Sequence, residues 1–148
     1  MFQFQCEWAD GPRTSTRSGF DLGHMTFVSE KGICSSRGRT PDQAMMLAIA
    51  IVEILDGLRR FLLERRSEYT FVGADSSFSV SFRKTKGERI AVQCGASRLG
   101  EVDATTLCRA VLSGAETFFQ QPKNKLPQSD PALEDLTSAL EAFARAFR

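Results

Sequence analysis

Four cysteines and a single histidine carry the most reactive side chains of the sequence. Cys6, Cys34, Cys94 and Cys108 stand 28, 60 and 14 positions apart. No C-x-x-C occurs, which removes zinc knuckles and thioredoxin-type redox chemistry. Cys6, Cys94 and Cys108 fall on the apolar positions of periodic segments, where cysteine acts as a small hydrophobe. Folding a hairpin about Glu30 and Lys31 sets Cys34 opposite Phe27, again an apolar neighbour. With no sign of export, all four are read as reduced thiols. In the same hairpin His24 lies opposite Arg37. That register gives no Cys–His nucleophile, and a neighbouring cation lowers an imidazole pKa. A structural place at a bulge or sheet edge is expected for His24.

Ser35-Ser36-Arg37-Gly38-Arg39-Thr40 is the most suggestive stretch for ligand chemistry. It is expected to run straight into a helix N-terminus, where free N–H groups and the positive end of the dipole attract anions. Ser36, Arg37, Arg39 and Thr40 are therefore the candidate anion-binding residues. The stretch is not a P-loop, since G-x-x-x-x-G-K-[ST] is absent. Two further basic groups are interaction candidates. Arg59, Arg60, Arg65 and Arg66 close a long helical segment, where cations complement the helix dipole. Arg83, Lys84 and Lys86 sit at a hairpin tip, where charge also discourages edge-to-edge pairing. Carboxylates for acid–base work are sparse: Glu53 and Asp56 lie one turn apart, and Glu134 and Asp135 suit the start of a helix. No catalytic residue, metal site or cofactor is assigned.

Composition narrows the classes. Lys and Arg number 19 against 18 Asp and Glu, so the net charge of +1 lacks the basic excess of a dominantly electrostatic nucleic-acid binder. The 42% of hydrophobic residues is ample for a core, which excludes wholesale disorder. At 148 residues the chain suits about one domain. The longest apolar run, 44–52, is far short of the ~20 residues that span a bilayer. Residues 1–8 have neither the basic nor the apolar region of a secretory leader. A cytoplasmic location is expected, with no membrane partner.

The elements follow from periodicity. Phe2, Phe4, Cys6 and Trp8 alternate with polar residues, the pattern of a half-buried strand. Residues 11–19 hold no large apolar side chain and read as a mobile loop. A second strand spans 20–28. Its apolar parity switches at Gly23, which predicts a β-bulge near Gly23 and His24. Residues 33–36 return as a third strand. Thr40 and Pro41 read as N-cap and first helical position of a helix reaching about residue 66. That helix is apolar nearly all round and thus central, with surplus surface for a partner subunit. Residues 69–72 form a short strand, and 78–82 and 90–94 form a hairpin, each with one wet face. Asp103 caps a second helix. Asp130-Pro131 opens a third, whose seam of Leu133, Leu136, Leu140, Phe143 and Phe147 repeats at spacings of 3 and 4.

The expected fold is α+β. It is a two-layer sandwich of one antiparallel sheet of about 4–6 strands, a long central helix and two C-terminal helices on one face. Residues 1–121 form the core domain, 122–130 a linker, and 131–148 an amphipathic helix docking in cis or on a dimer partner. The element order resembles that of small bacterial α+β adaptor and toxin-immunity proteins, a likeness of fold that no residue motif carries. The function expected is a non-enzymatic protein–protein interaction module of adaptor, immunity or chaperone-like kind, as a homodimer or in a hetero-complex. The alternatives are binding of nucleic acid or a phosphate ligand through the basic groups, and an enzyme without a signature.

Overall fold

Alternating side chains at the N-terminus build β1 (Phe2–Trp8), with Phe4 and Trp8 in the core. The computed structural model of the chain describes residues 1–11 and 15–148. β1 pairs antiparallel with β2 (Leu22–Ser29), from Phe2 opposite Ser29 to Trp8 opposite Gly23. β2 pairs in turn with β3 (Gly32–Ser35), with Phe27 opposite Cys34 as the hairpin arithmetic required. Further along, β2 pairs with the two-residue β4 (Met45–Met46). The long helix α1 spans Leu47–Leu63. The second sheet is an antiparallel run of β5 (Glu68–Val72), β6 (Ser79–Lys84), β7 (Arg89–Cys94) and β8 (Ser97–Asp103). Helices α2 (Ala104–Gln120) and α3 (Pro131–Phe147) close the chain.

The fold is α+β, with its strands in two four-stranded sheets instead of one of four to six. The sheets approach each other where β3 and the end of β2 meet β8. There the Ser29 hydroxyl donates to the Leu99 carbonyl at 2.8 Å. β8 was not anticipated. Gly100, at φ +81°, interrupts the alternation that announces a strand, and the Lys31 side chain occupies the space a Cβ would need there.

The expected bulge at Gly23 is corrected. The β1–β2 register is unbroken, and the irregularity of the fold lies between Val92 and Gln93 in β7. Parity fails around Gly23 because both faces of β2 are covered, with His24 and Met25 alike buried. Gly23 is needed for close packing, since a Cβ would stand 2.7 Å from both the Glu7 carbonyl and Leu47.

The start of α1 is corrected as well. Thr40–Pro41 is a cis peptide and opens no helix. The Asp42 carboxylate instead accepts the Ala44 N–H at 2.9 Å, and Met45 and Met46 are claimed by β2. Met46 then takes the cap position without a side-chain cap. The other two caps are as read: Asp103 accepts from Thr106 N–H and Asp130 from Ala132 N–H.

α1 is the central helix, packed against β2, β5, α2 and α3. Its surplus apolar surface is covered by α3 of the same chain, which buries Leu136, Ala139 and Phe143. Leu133, Leu140 and Phe147 are partly buried against the same core. The segment between α2 and α3 is tied down: Asn124 and Leu126 are buried, and Asp130 accepts the Gly19 N–H at 2.8 Å. The reading of four reduced thiols is corrected, because Cys34 and Cys94 are joined by a disulfide that links the two sheets. Cys6 and Cys108 remain free. Of the loop expected over 11–19, residues 12–14 lie outside the described residues. Within the described part, Arg17 is only 4% exposed.

Candidate functional site

The stretch from Ser36 to Thr40 does not meet the helix N-terminus its sequence suggests. It is separated from α1 by β4, so it faces no helix N-terminus. The Ser36 side chain is fully buried. Its hydroxyl accepts the Met25 N–H at 3.2 Å and lies 2.9 Å from His24 Nδ1. Arg37 is bonded to the Glu7 carboxylate, which holds its guanidinium firmly charged. Arg39 Nε donates to the Ser35 carbonyl at 3.0 Å. Thr40 is exposed. The entry to α1 is occupied by the chain itself: Met46 N–H donates to Ala74 O at 3.0 Å and Leu47 N–H to Asp21 O at 3.2 Å.

His24 and Ser36 have the composition of a nucleophile–base pair, yet no substrate reaches a hydroxyl with no exposed surface. Burial, and then the Arg37 charge, push the His24 pKa below its ordinary value. The pair satisfies buried polar groups in the manner the interior demands. The free thiols are equally quiet. Burial pushes the Cys108 thiol up to about 12 and raises that of Cys6, the opposite of what a reactive cysteine needs. Glu53 is exposed, partial burial raises its pKa, and Asp56 is engaged by Arg59 at 3.7 Å. Among the described residues no three His, Cys, Asp or Glu side chains are placed to hold a metal ion. None of the helices described is long and apolar enough to cross a membrane.

One juxtaposition does emerge. The two basic groups, some twenty residues apart in sequence, meet at one end of the molecule. Lys84 N–H donates to the Ser67 carbonyl at 2.9 Å, which lays the end of β6 beside the exit from α1. The Lys84 ammonium sits 5.3 Å from the centre of the Phe61 ring, a cation–π contact. Arg83 stands opposite Glu68, and Lys86 follows in the tight turn Lys86–Glu88. Arg66 is held by Glu64 at 2.7 Å. Arg60, Arg65, Arg83 and Lys86 are exposed and form no ion pair among the described residues. Leu63, on the same last turn of α1, is 57% exposed. This end therefore combines unpaired cations with one apolar contact, on a chain whose net charge is only +1. Leu63 was missed in the sequence because it lies off the apolar stripe of α1.

A second feature was missed as well. A cavity of about 610 Å³ opens beside the end of β1, lined in part by Trp8, Arg17, Arg37 and Asn124. Arg17 stacks over Trp8 at 4.6 Å and is paired with Asp10 at 2.7 Å. Trp8 Nε1 donates to Asn124 at 2.9 Å. These groups satisfy one another, and they anchor the loop and the segment after α2 to β1. Nothing in the glycine- and serine-rich stretch around Arg17 marks it as buried. The chain matches no family model, no curated protein and no solved structure in comparisons with known proteins.

Proposed function

We propose that this chain is a non-enzymatic protein-binding module, of adaptor, immunity or chaperone-like kind, whose working surface is the basic end built from α1 and β6. The observation that carries the reading is the set of unpaired cations Arg60, Arg65, Arg83 and Lys86 around exposed Leu63. Charge complementarity of this kind steers a partner and sets specificity. It favours an acidic protein segment with an apolar residue to cover Leu63. The nucleic-acid alternative is the weaker one. Single-strand binders stack bases on exposed aromatics beside their cations, whereas Phe61 and Phe82 at this end are buried. The cytoplasm is the compartment proposed with this reading, although a disulfide is more usual in an oxidising one.

The test uses two fluorescent probes at low salt: a Glu-rich peptide carrying one Leu, and a single-stranded RNA of similar charge. The peptide is expected to bind, to weaken steeply with salt, and to bind at least tenfold less tightly to the triple variant Arg60→Ala, Arg83→Ala, Lys86→Ala. RNA binding with no peptide binding would overturn the proposal in favour of the nucleic-acid alternative.

A further inference from the structure

Sheet edges must be covered or paired, because an open edge is a template for another strand. The edges at β1, β3 and β8 are managed within the chain. α2 lies along β1, so close that a Cβ on Gly114 would collide with the Phe4 carbonyl. β3 and β8 flank each other where the sheets meet. β5 is paired with β6 on one side only.

The hydrogen-bonding parity of β5 is fixed at both ends. Lys84 N–H donates to Ser67 O, and Gly73 N–H to Phe78 O. In an antiparallel pair the bonded residues alternate, so Ser67, Tyr69, Phe71 and Gly73 face β6. Glu68, Thr70 and Val72 then direct their N–H and C=O groups outward. All three are exposed, with Val72 at 51%.

We propose that a second copy of this chain docks on the β5 edge, antiparallel and centred on Thr70, so that the two second sheets join into one. Only this register employs every outward-facing residue: Thr70 pairs with the partner's Thr70, and Glu68 with the partner's Val72. Threonine is a favourable cross-strand pair with itself, and neither Glu68 meets the other. Antiparallel pairing also brings the exit of α1, which carries Arg65, to the end of the partner where the turn between β5 and β6 carries Asp75. Both are exposed and form no ion pair among the described residues, so each copy supplies the charge the other lacks. Arg60, Arg83 and Lys86 remain free in the dimer. The proposal takes Arg65 out of the basic set named above but does not rest on the acidic-partner reading, and its test contains no such partner.

The full chain is examined by sedimentation velocity from about 1 to 200 µM, the range that a small interface supports. The wild type is expected to dimerise. Thr70→Pro removes an outward N–H while sparing every bond to β6, a place where an edge strand tolerates proline. It is expected to be monomeric at all these concentrations. Thr70→Lys sets like charges opposite each other and serves as a second variant, with circular dichroism confirming the fold. Thr70→Cys places two thiols across a bonded pair with Cα atoms about 5.5 Å apart, within disulfide reach. It is expected to cross-link on mild oxidation at least tenfold faster than Glu68→Cys. A wild type that stays monomeric overturns the proposal. So does a dimer that survives both Thr70→Pro and Thr70→Lys, since that dimer uses another surface.

Discussion

His24 is the only histidine, so its imidazole gives a single titration signal. Burial and the Arg37 charge both lower its pKa. Its midpoint by NMR is expected below the ordinary value of about 6.5. A group whose folded pKa is depressed contributes stability that is present above the unfolded pKa and lost as pH falls through the folded one. The chain should therefore lose stability on acidification below about pH 6.5 through this residue. Arg37→Ala removes one depressing charge and frees Glu7, whose carboxylate favours the charged imidazole. The midpoint is expected to rise. A midpoint unmoved by the substitution would contradict the placement of Arg37 beside His24. The His24–Arg37 neighbourhood was legible in the sequence because the hairpin register follows from the turn at Glu30 and Lys31. The partnership with Ser36 was not, since it depends on which side of the strand the chain leaves.

At the scale of the element, close approach is the controlling feature. Gly114 lies mid-helix in α2, where alanine ordinarily stabilises by about 1 kcal/mol. Here a Cβ would run into the backbone carbonyl of Phe4, which cannot step aside as a flexible side chain can. Gly114→Ala is accordingly expected to destabilise, measured as a lower midpoint of urea unfolding. A gain in stability would mean that α2 is not seated on the β1 edge. α2 and α3 were legible because Asp103 and Asp130 cap them locally and their apolar positions repeat at helical spacing. The beginning of α1 was not. Thr40, Pro41 and Asp42 obey the rules of a helix start, yet Met45 and Met46 gain more by pairing with β2. That override moved the helix away from Arg37 and Arg39 and removed the helix terminus on which the expected anion site relied.

The described residues form two sheets and three α-helices joined by contacts that cross long stretches of sequence. The Cys34–Cys94 bond is the clearest of these, closing a separation of 60 residues. No local pattern signals it, because each cysteine alone reads as a core residue of its own strand. Loop-closure entropy for a span of that length puts its contribution at about 4 kcal/mol. Cys34→Ser is expected to lose stability of that order in urea without reductant. Equal stability of variant and wild type would contradict a bond between the sheets. The basic end has the same origin: each group of cations was visible in the sequence, but their meeting depends on β6 running beside the exit of α1.

That meeting is the central claim, and one comparison tests it most directly. Tagged wild type and the triple variant Arg60→Ala, Arg83→Ala, Lys86→Ala would be recovered from their own host and weighed by native mass spectrometry. An acidic protein held in fixed ratio by the wild type, and missing from the equally folded variant, is the predicted result. The same companion on both forms, or nucleic acid as the only companion, would contradict it.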